Sequence, residues 1–285
     1  MILTGIKRSA CCTLLALSLI VPASLLAAPL IDDDFNKESL DPNIWHIPTW
    51  VSDNDGTFVG RTQFRCTPVP LPTVTDGNAI LTVETYNPTG ISFYGTDLIA
   101  NQSADVTRGI HITVRAKMNT STRGIVGGIF LYALKPQSTT LHDEIDFEML
   151  TNSVNGVQTN IYENEPLGPG HPQFIPYQTG SITDYHIYEI EWIADTVTWM
   201  VDGNIVRTKQ SSIASEAMSF HLNIWVPDGD EWPEAYDGNL QPTTDPHLNQ
   251  IYSMSVDYVR VEYIDSSQHA ENSTSILPLL LLKDN

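Results

Sequence analysis

The sequence predicts an all-β fold built from two packed antiparallel sheets, a sandwich or a jelly roll. Short stretches of alternating or β-branched residues recur along the chain, for example 79–84, 109–115 and 255–263, and clusters of Gly, Pro, Asn and Asp separate them. No helical crossovers link these stretches and no internal repeat is found, which argues against a parallel α/β sheet and against a propeller. Only residues 211–217 look helical, and briefly.

The clearest single element is a hairpin in residues 196–208. Asp202-Gly203 lies there between two apolar alternations. Because glycine readily adopts the positive φ that two-residue turns require, this pair predicts a tight turn between two strands.

Residues 1–28 have the order of a secretory signal peptide. The charged pair Lys7-Arg8 precedes a largely apolar run, and two small residues follow at 27–28. We expect export to the extracellular or periplasmic space, with cleavage within a residue or two of the end of this segment. A membrane anchor is the alternative, which the short run and the lack of stop-transfer charges after it disfavour.

Residues 29–265 form one predicted domain, since no linker or composition break interrupts them. The tail, 266–285, is polar up to Ser275 and then apolar over 276–282, a run too short to span a bilayer as a helix. A disordered end, a remnant of an anchoring signal and a patch that docks on the domain all stay open for it.

The net charge narrows the class of partner. The chain has a formal charge of −20, and removing residues 1–28 deletes Lys7 and Arg8 but no acidic residue, so the mature charge becomes −22. Such a surface repels phosphate backbones, which argues against nucleic acid and favours a neutral polymer. Cys66 is the single cysteine after the signal segment, so no intrachain disulfide is expected, and a buried small side chain is favoured over a reactive thiol.

An acidic strand is predicted at residues 142–149. Side chains alternate along a strand, which places two sets of residues on opposite faces. The first set is His142, Glu144, Asp146 and Glu148, and the second is Ile145, Phe147 and Met149. The apolar set fits between two sheets, so three carboxylates share the outer face. Like charges this close raise one another's pKa, and the pattern therefore predicts a functional site.

The spacing of Glu144 and Glu148 suits a retaining glycosidase. Four residues at ~3.3 Å rise separate their backbones by about 13 Å, and side chains that lean inward by roughly 4 Å bring the carboxyl groups to about 5 to 5.5 Å. Asp146 can hydrogen-bond the nucleophile and help keep the other glutamate protonated. A solvated acidic face and a calcium site are the alternatives that the motif leaves open.

These residues and several further motifs resemble glycoside hydrolase family 16, the jelly-roll endo-glucanases and transglycosylases with the signature Glu-x-Asp-x-Glu. The motifs occur in the family's order over most of residues 34–264. They are Leu40-Asp-Pro-Asn-Ile-Trp45, the acidic strand, Val157-Gln-Thr-Asn-Ile-Tyr162, Tyr185-His-Ile-Tyr-Glu-Ile-Glu-Trp192, Trp199-Met-Val-Asp-Gly203, Leu222-Asn-Ile-Trp225 and Val256-Asp-Tyr-Val-Arg-Val261.

The resemblance implies a concave substrate cleft with Glu144 as nucleophile, Asp146 as assisting residue and Glu148 as general acid/base. The candidate substrate-binding residues are His142, Gln158, Asn160, Tyr162, Asn223, Trp225 and Trp232. Amides pair with sugar hydroxyls, and an indole face stacks on a pyranose. Structural roles are open for several of them: a turn cap for Asn160, a rim position for Tyr162, a core position for Trp225 and a loop anchor for Trp232.

The resemblance also narrows the substrate. The uninterrupted spacing of the acidic motif resembles licheninases and xyloglucan endotransglycosylases, whereas laminarinases usually carry an extra residue. A glucan with β-1,4 character is therefore expected, such as mixed-linkage 1,3-1,4-glucan. His142 stands where licheninases tend to have Trp and resembles the transglycosylase version, but the cysteine-bonded extension of the plant transglycosylases is missing, so hydrolysis is favoured.

Asp257 matches the position from which licheninases hold a structural calcium ion, and no cofactor is expected in catalysis. In sum, the sequence predicts a secreted, monomeric, retaining endo-glucanase without a stable membrane span. A transglycosylase and a non-catalytic carbohydrate-binding jelly roll are the alternatives.

Overall fold

The computed structural model describes residues 28–48, 58–64, 72–136, 138, 140–166, 170–211 and 217–264. The predictions for the signal segment, for Cys66 and for the tail concern residues outside these ranges. Residue 28, the last of the predicted signal segment, is the exception. The predicted helical stretch at 211–217 falls mostly outside them too, and its last residue, Ala217, begins a strand instead.

The described residues form eighteen strands and two short 3-10 helices, so the all-β prediction is confirmed. The strands are β1 (Ile31–Asp33), β2 (Trp45–His46), β3 (Phe58–Val59), β4 (Thr62–Phe64), β5 (Thr73–Thr75), β6 (Asn78–Glu84), β7 (Phe93–Ala100), β8 (Ala104–Asp105), β9 (Ile110–Met118), β10 (Val126–Leu134), β11 (His142–Leu150), β12 (Gly156–Glu165), β13 (Gln173–Pro176), β14 (His186–Ile193), β15 (Thr196–Val201), β16 (Asn204–Gln210), β17 (Ala217–Trp225) and β18 (Ile251–Tyr263). The 3-10 helices are Val106–Arg108 and Pro246–Leu248.

Two large antiparallel layers carry the fold. The front sheet has the order β2, β7, β17, β10, β11, β12 and β13. The back sheet has the order β16, β15, β14, β9 and β18, and β6 and β1 pair with opposite halves of β18. The short β4 departs from the antiparallel pattern because it runs parallel to β7.

The core fills the space between the two layers. The front sheet contributes the alternate residues of β11, including Ile145 and Phe147, and the back sheet contributes Tyr188, Trp192 and Trp199, all buried. This arrangement is the jelly-roll sandwich that the alternation predicted, with apolar sets facing inward from both layers.

The predicted hairpin is confirmed. β15 ends at Val201 and β16 begins at Asn204, and both intervening residues have positive φ, 51° for Asp202 and 74° for Gly203. Positive φ at both central positions is the turn whose twist matches two paired strands.

Within the described part of the chain, no helix reaches the length and apolar character needed to cross a bilayer.

Candidate active site

β11 carries the acidic motif in the middle of the front sheet, between β10 and β12. The apolar set of the motif is fully buried in the core, as the alternation predicted. Glu144 and Glu148 are partly exposed on the outward face, whereas Asp146 between them is only 2% exposed. The strand therefore presents two partly exposed glutamates with a buried aspartate between them.

The outward face of the front sheet is called the site face below. Strand register brings several predicted residues together on it. Beside Glu144 lie Tyr132 and Tyr162, beside Asp146 lie Phe130 and Asn160, and beside Glu148 lie Gly128 and Gln158. One strand further, on β17, His221 adjoins Phe130, Asn223 adjoins Gly128 and Trp225 adjoins Val126.

The site face is recessed. Asp146, Asn160, His221 and Asn223 are all buried, although strand alternation points them away from the core. Side chains on an outward face are shielded this strongly only when their neighbours rise around them. The crowding of polar side chains on this face accounts for their burial, and the concave cleft stays a prediction.

Glu148 is held by an amide on the next strand. Gln158 donates from Nε2 to Glu148 Oε2 at 2.9 Å. Burial raises the pKa of Glu148 to about 8, the Gln158 hydrogen bond opposes this shift, and the nearby Glu144 charge adds to it. Desolvation therefore dominates, and a pKa raised this far favours the protonated form at neutral pH, which is the form that a general acid needs.

Asp146 lies in the least solvated position of the motif. Burial raises its pKa well above the usual range, and the charges of Glu144 and Glu148 raise it further. Neither carboxyl oxygen receives a hydrogen bond from a donor among the described residues. A hydrogen bond between the Asp146 and Glu144 carboxyl groups needs a proton between them, and the raised pKa of Asp146 supplies that proton.

His142 and two tyrosines surround Glu144. His142 Nε2 lies 3.3 Å from Glu144 Oε2, close enough for an ion pair but misaligned for a hydrogen bond. The imidazole lies between the rings of Tyr132 and Tyr162, at centroid distances of 5.4 and 4.7 Å. Burial lowers the pKa of His142, but Glu144 and the Thr140 carbonyl outweigh this effect, so the net pKa is raised. Glu144 is therefore enclosed by an imidazole and two tyrosine side chains.

Two residues of the back sheet, Trp199 and Arg207, donate hydrogen bonds to the backbone of the front sheet. Trp199 donates from Nε1 to the backbone oxygen of Asp146 at 3.0 Å, across the core. Arg207 donates to the Thr159 backbone oxygen at 3.0 Å and to the His171 backbone oxygen at 2.8 Å. These bonds attach β11, β12 and the following loop to the β15–β16 hairpin.

The structure separates the roles of the predicted β12 residues. Gln158 contacts Glu148 directly, and the Tyr162 ring lies against His142. The side-chain oxygen of Asn160, in contrast, accepts from the backbone nitrogen of His171 at 2.8 Å. Asn160 thus holds the backbone of His171 against β12, and its part in substrate binding stays a prediction.

The Asn223 side chain fits in its position because residue 128 beside it is a glycine. A Cβ at Gly128 would overlap Asn223 Oδ1, so the absence of a side chain at 128 makes room for the amide. Asn223 is 6% exposed, and its Oδ1 has no hydrogen-bond donor among the described residues. A buried amide oxygen without a donor is free to accept a hydrogen bond from a hydroxyl that enters the site.

Trp225 and Trp232 form one aromatic pair, with ring centroids 5.8 Å apart. Both are partly exposed and pack on a small apolar cluster of Val126, Leu150 and Ala235, separate from the main core. Trp232 therefore packs as an anchor of its loop and stays partly exposed, and its role as a sugar-binding platform stays a prediction.

The sequence reasoning missed a buried pair on the site face. His221 Nδ1 lies 3.3 Å from both carboxyl oxygens of Asp97 on β7, and the His221 ring stacks on Phe130 at 4.8 Å. Strand alternation could have found His221, because it precedes Asn223 by two residues on the same strand.

Asp257, the predicted calcium ligand, lies on the back sheet far from this site. Its Oδ2 pairs with Arg115 Nη1 at 2.5 Å. Among the residues described, no cluster of three or more His, Cys, Asp or Glu side chains suits a metal ion. The calcium ion stays a prediction, and one oxygen of the Asp257 carboxylate is paired with a guanidinium.

A jelly roll with two glutamates and a buried aspartate on one strand of a recessed face defines a site of the glycosidase class. Comparison with known proteins places the chain more narrowly. The model of glycosyl hydrolases family 16 matches residues 76–247, more than half of the chain, and the chain belongs to this family.

Individual relatives agree with this assignment. The chain is 34% identical to the β-glucanase of Bacillus subtilis (strain 168) over 127 residues, 44% of this chain and 50% of that protein. It thus spans about half the length of the curated relatives it matches. A solved β-1,3-1,4-glucanase (lichenase) from a mouse hindgut metagenome is similar, with a TM-score of 0.64, 26% identity and coverage of 82% of this chain and 99% of that one. The laminarinase catalytic domain from Thermotoga maritima MSB8 shares the fold at a TM-score of 0.63 and 18% identity, over 83% of this chain and 98% of that one.

Proposed function

We propose that this chain is an exported, retaining endo-glycosidase that hydrolyses β-glucans through a covalent glycosyl-enzyme. The observation that carries the proposal is the pairing of unlike carboxyl groups on one strand. Glu148, held by Gln158, has a pKa raised to about 8, while Glu144, four residues away on the same face, lies against the His142 imidazole. Two carboxyl groups in different environments can act as acid and nucleophile at the same pH.

In the first step, Glu144 attacks the anomeric carbon as the bond to the leaving sugar breaks. The proton of Glu148 goes to the leaving oxygen, so the departing sugar is neutral. In the second step, Glu148, now a carboxylate, takes a proton from water while the water oxygen attacks the same carbon and Glu144 leaves. Both proton transfers use one carboxyl group, and the configuration at the anomeric carbon is retained.

Asp146 acts between the two glutamates. Its raised pKa allows it to donate a hydrogen bond to Glu144, which spreads the negative charge of the nucleophile before attack. After the glycosyl-enzyme forms, the same group can stabilise the ester oxygen. The recessed setting of the site face keeps bulk water from weakening these interactions.

For the substrate, we propose a neutral glucan with β-1,4 character, and mixed-linkage 1,3-1,4-glucan in particular. Support comes from the uninterrupted Glu-x-Asp-x-Glu spacing and from similarity to proteins named as β-glucanases and lichenase. The unpaired Asn223 oxygen offers an acceptor to a sugar hydroxyl, and the Trp225–Trp232 pair offers an aromatic face. None of these contacts needs a charged polymer, in agreement with the acidic composition.

The decisive experiment is reducing-sugar release on lichenan, laminarin, xyloglucan and agarose, with linkage analysis of the products. We expect cleavage of lichenan with products of retained anomeric configuration. A folded protein without activity on any β-glucan, galactan or xyloglucan would contradict the proposal. Lengthening of acceptor oligosaccharides, instead of net hydrolysis, would favour the transglycosylase alternative.

Glu144→Ala separates an enzyme from a carbohydrate-binding module. We expect turnover to fall by about 10⁴-fold or more, because the covalent route is lost, while glucan binding persists. Trapping of a mechanism-based glycosyl fluoride on the wild-type chain, followed by mass spectrometry of the labelled peptide, should find the label on Glu144. A protein that binds glucan equally well and shows no turnover in either form would be a binding module.

A further inference from the structure

The front sheet extends past β12 to a short strand with an exposed aromatic ring. Phe174 on β13 is 44% exposed. The other large hydrophobic side chains exposed among the described residues are all aliphatic: Ile91, Leu134, Ile205, Leu248 and Ile251. Scattered aliphatic exposure is ordinary on a protein surface, but an open aromatic face beside a carbohydrate site suits a specific contact.

Register places Phe174 on the site face. Phe174 pairs directly with Gln158, which pairs directly with Glu148. Paired residues in adjacent strands point to the same side of a sheet, so the three side chains form one row across the front sheet. Two strand spacings separate Phe174 from Glu148, about 10 Å in all.

The ring packs beside a glycine. A Cβ added at Gly156 would lie 2.5 Å from Cζ and 2.9 Å from Cε1 of Phe174, so the end of the ring lies close to the Gly156 backbone. This contact restricts the ring, and its 44% exposure leaves aromatic surface open to a ligand. An exposed aromatic ring beside a carbohydrate site can stack on a pyranose.

The Phe174 ring and the Trp225–Trp232 pair lie on opposite sides of β11. Trp225 lies two strands from β11 on one side, and Phe174 lies two strands from it on the other. A glucan that crosses the strands over the carboxyl groups therefore meets aromatic faces on both sides of the point of cleavage. The neighbouring residue Ile175 turns inward and is buried, so β13 itself is part of the sandwich and not a loose flap.

We propose that Phe174 is a sugar-binding platform for the arm of the β-glucan on the β12–β13 side of Glu148. This inference rests on the proposed function and adds a binding residue to it. The ring contributes to binding of long chains and not to bond cleavage, since it lies too far from Glu148 to touch the reacting atoms.

The test measures glucan binding in an inactivated background. Glu144→Gln is combined with Phe174→Ala, and the Kd for a soluble mixed-linkage glucan and for oligosaccharides of increasing length is measured by calorimetry. We expect the loss of the ring to weaken binding of long chains about fivefold to tenfold, a disaccharide to be affected less, and Phe174→Trp to restore affinity. Ile205→Ala is the matched control, because Ile205 is also apolar and exposed, at 69%, but lies on the back-sheet hairpin.

Equal affinities of the Phe174→Ala protein and its Glu144→Gln parent would overturn this inference alone. An equal loss in the Ile205→Ala protein would also overturn it, because the effect would not depend on the site face. If the Glu144→Gln parent binds no β-glucan and the wild-type chain hydrolyses none, the proposed function and this inference fail together.

Discussion

The outward faces of the two sheets are both polar, but their polar groups are held differently. On the back sheet, polar groups lie in pairs at partly exposed positions: His111 lies 3.0 Å from Glu189, and Arg115 lies 2.5 Å from Asp257. At the edge of this sheet, Thr82 Oγ1 and Glu84 Oε1 on β6 are buried without a hydrogen-bond partner among the described residues. On the front sheet, Asp146 and Asn223 are buried. Both carboxyl oxygens of Asp146 and the amide oxygen of Asn223 have no hydrogen-bond donor among the described residues.

The two arrangements differ in their free-energy cost. An exposed ion pair contributes little either way, typically less than about 1 kcal/mol. A buried polar atom without a partner costs about 1–3 kcal/mol. The front sheet therefore carries groups that destabilise the fold, which is typical of a site arranged for a ligand and not for stability. Substitutions on the two faces should separate activity from stability.

The largest effect on activity after loss of the nucleophile is expected for Glu148→Gln. The amide cannot give a proton to the leaving oxygen, so kcat on lichenan should fall by about 10²–10⁴-fold. In the wild-type chain, activity should decline as pH rises through about 8, where Glu148 loses its proton. The measurement is kcat against pH for both proteins, and a basic limb that survives in the Glu148→Gln protein would assign it to another group.

Asp146→Asn should reduce activity and increase stability together. The amide cannot share a proton with Glu144, and kcat should fall by roughly 10-fold to 100-fold. Because the amide removes the carboxyl that buried surroundings disfavour in its charged form, the free energy of unfolding at pH 7 should rise by about 1–3 kcal/mol. Urea unfolding followed by tryptophan fluorescence measures the second effect, and a loss of stability would show that Asp146 is structurally required.

The pH dependence of stability should also report the front sheet. The folded pKa of Glu148, about 8, lies above its unfolded value of about 4.5, so folding favours the protonated form. Its stabilising contribution is fully present below pH 4.5 and is lost as pH rises to about 8. Unfolding free energies across this window should fall in the wild-type chain and fall less in the Glu148→Gln protein. Parallel curves for the two proteins would contradict the assignment.

The smallest effect is expected for Asp257→Asn on the back sheet. The pair with Arg115 is partly exposed, so unfolding free energy should change by less than about 1 kcal/mol, and kcat should stay the same. Thermal unfolding with EDTA and with added calcium provides the comparison. A much larger loss of Tm for Asp257→Asn in calcium than in EDTA would instead favour the predicted calcium ion.

Much of the front sheet could be predicted because strand alternation is local. The faces of β11, the Asp202-Gly203 turn and the burial of Trp192 and Trp199 all follow from residue order and from the period of two. The roles of Asn160 and Phe174 could not be predicted in this way. The side-chain oxygen of Asn160 accepts a hydrogen bond from the backbone of His171, eleven residues later. The position of Phe174 on the site face follows from its pairing with Gln158 on β12.

By itself, the sequence determined the all-β class, the acidic strand and the face on which its carboxyl groups lie, since these depend on neighbours one and two residues apart. Tertiary structure alone decided the raised pKa of Glu148, the lack of donors at Asp146 among the described residues and the pairing of His221 with Asp97. Those properties depend on desolvation and on contacts between residues distant in the chain, such as Asp97 and His221, which only register and packing bring together.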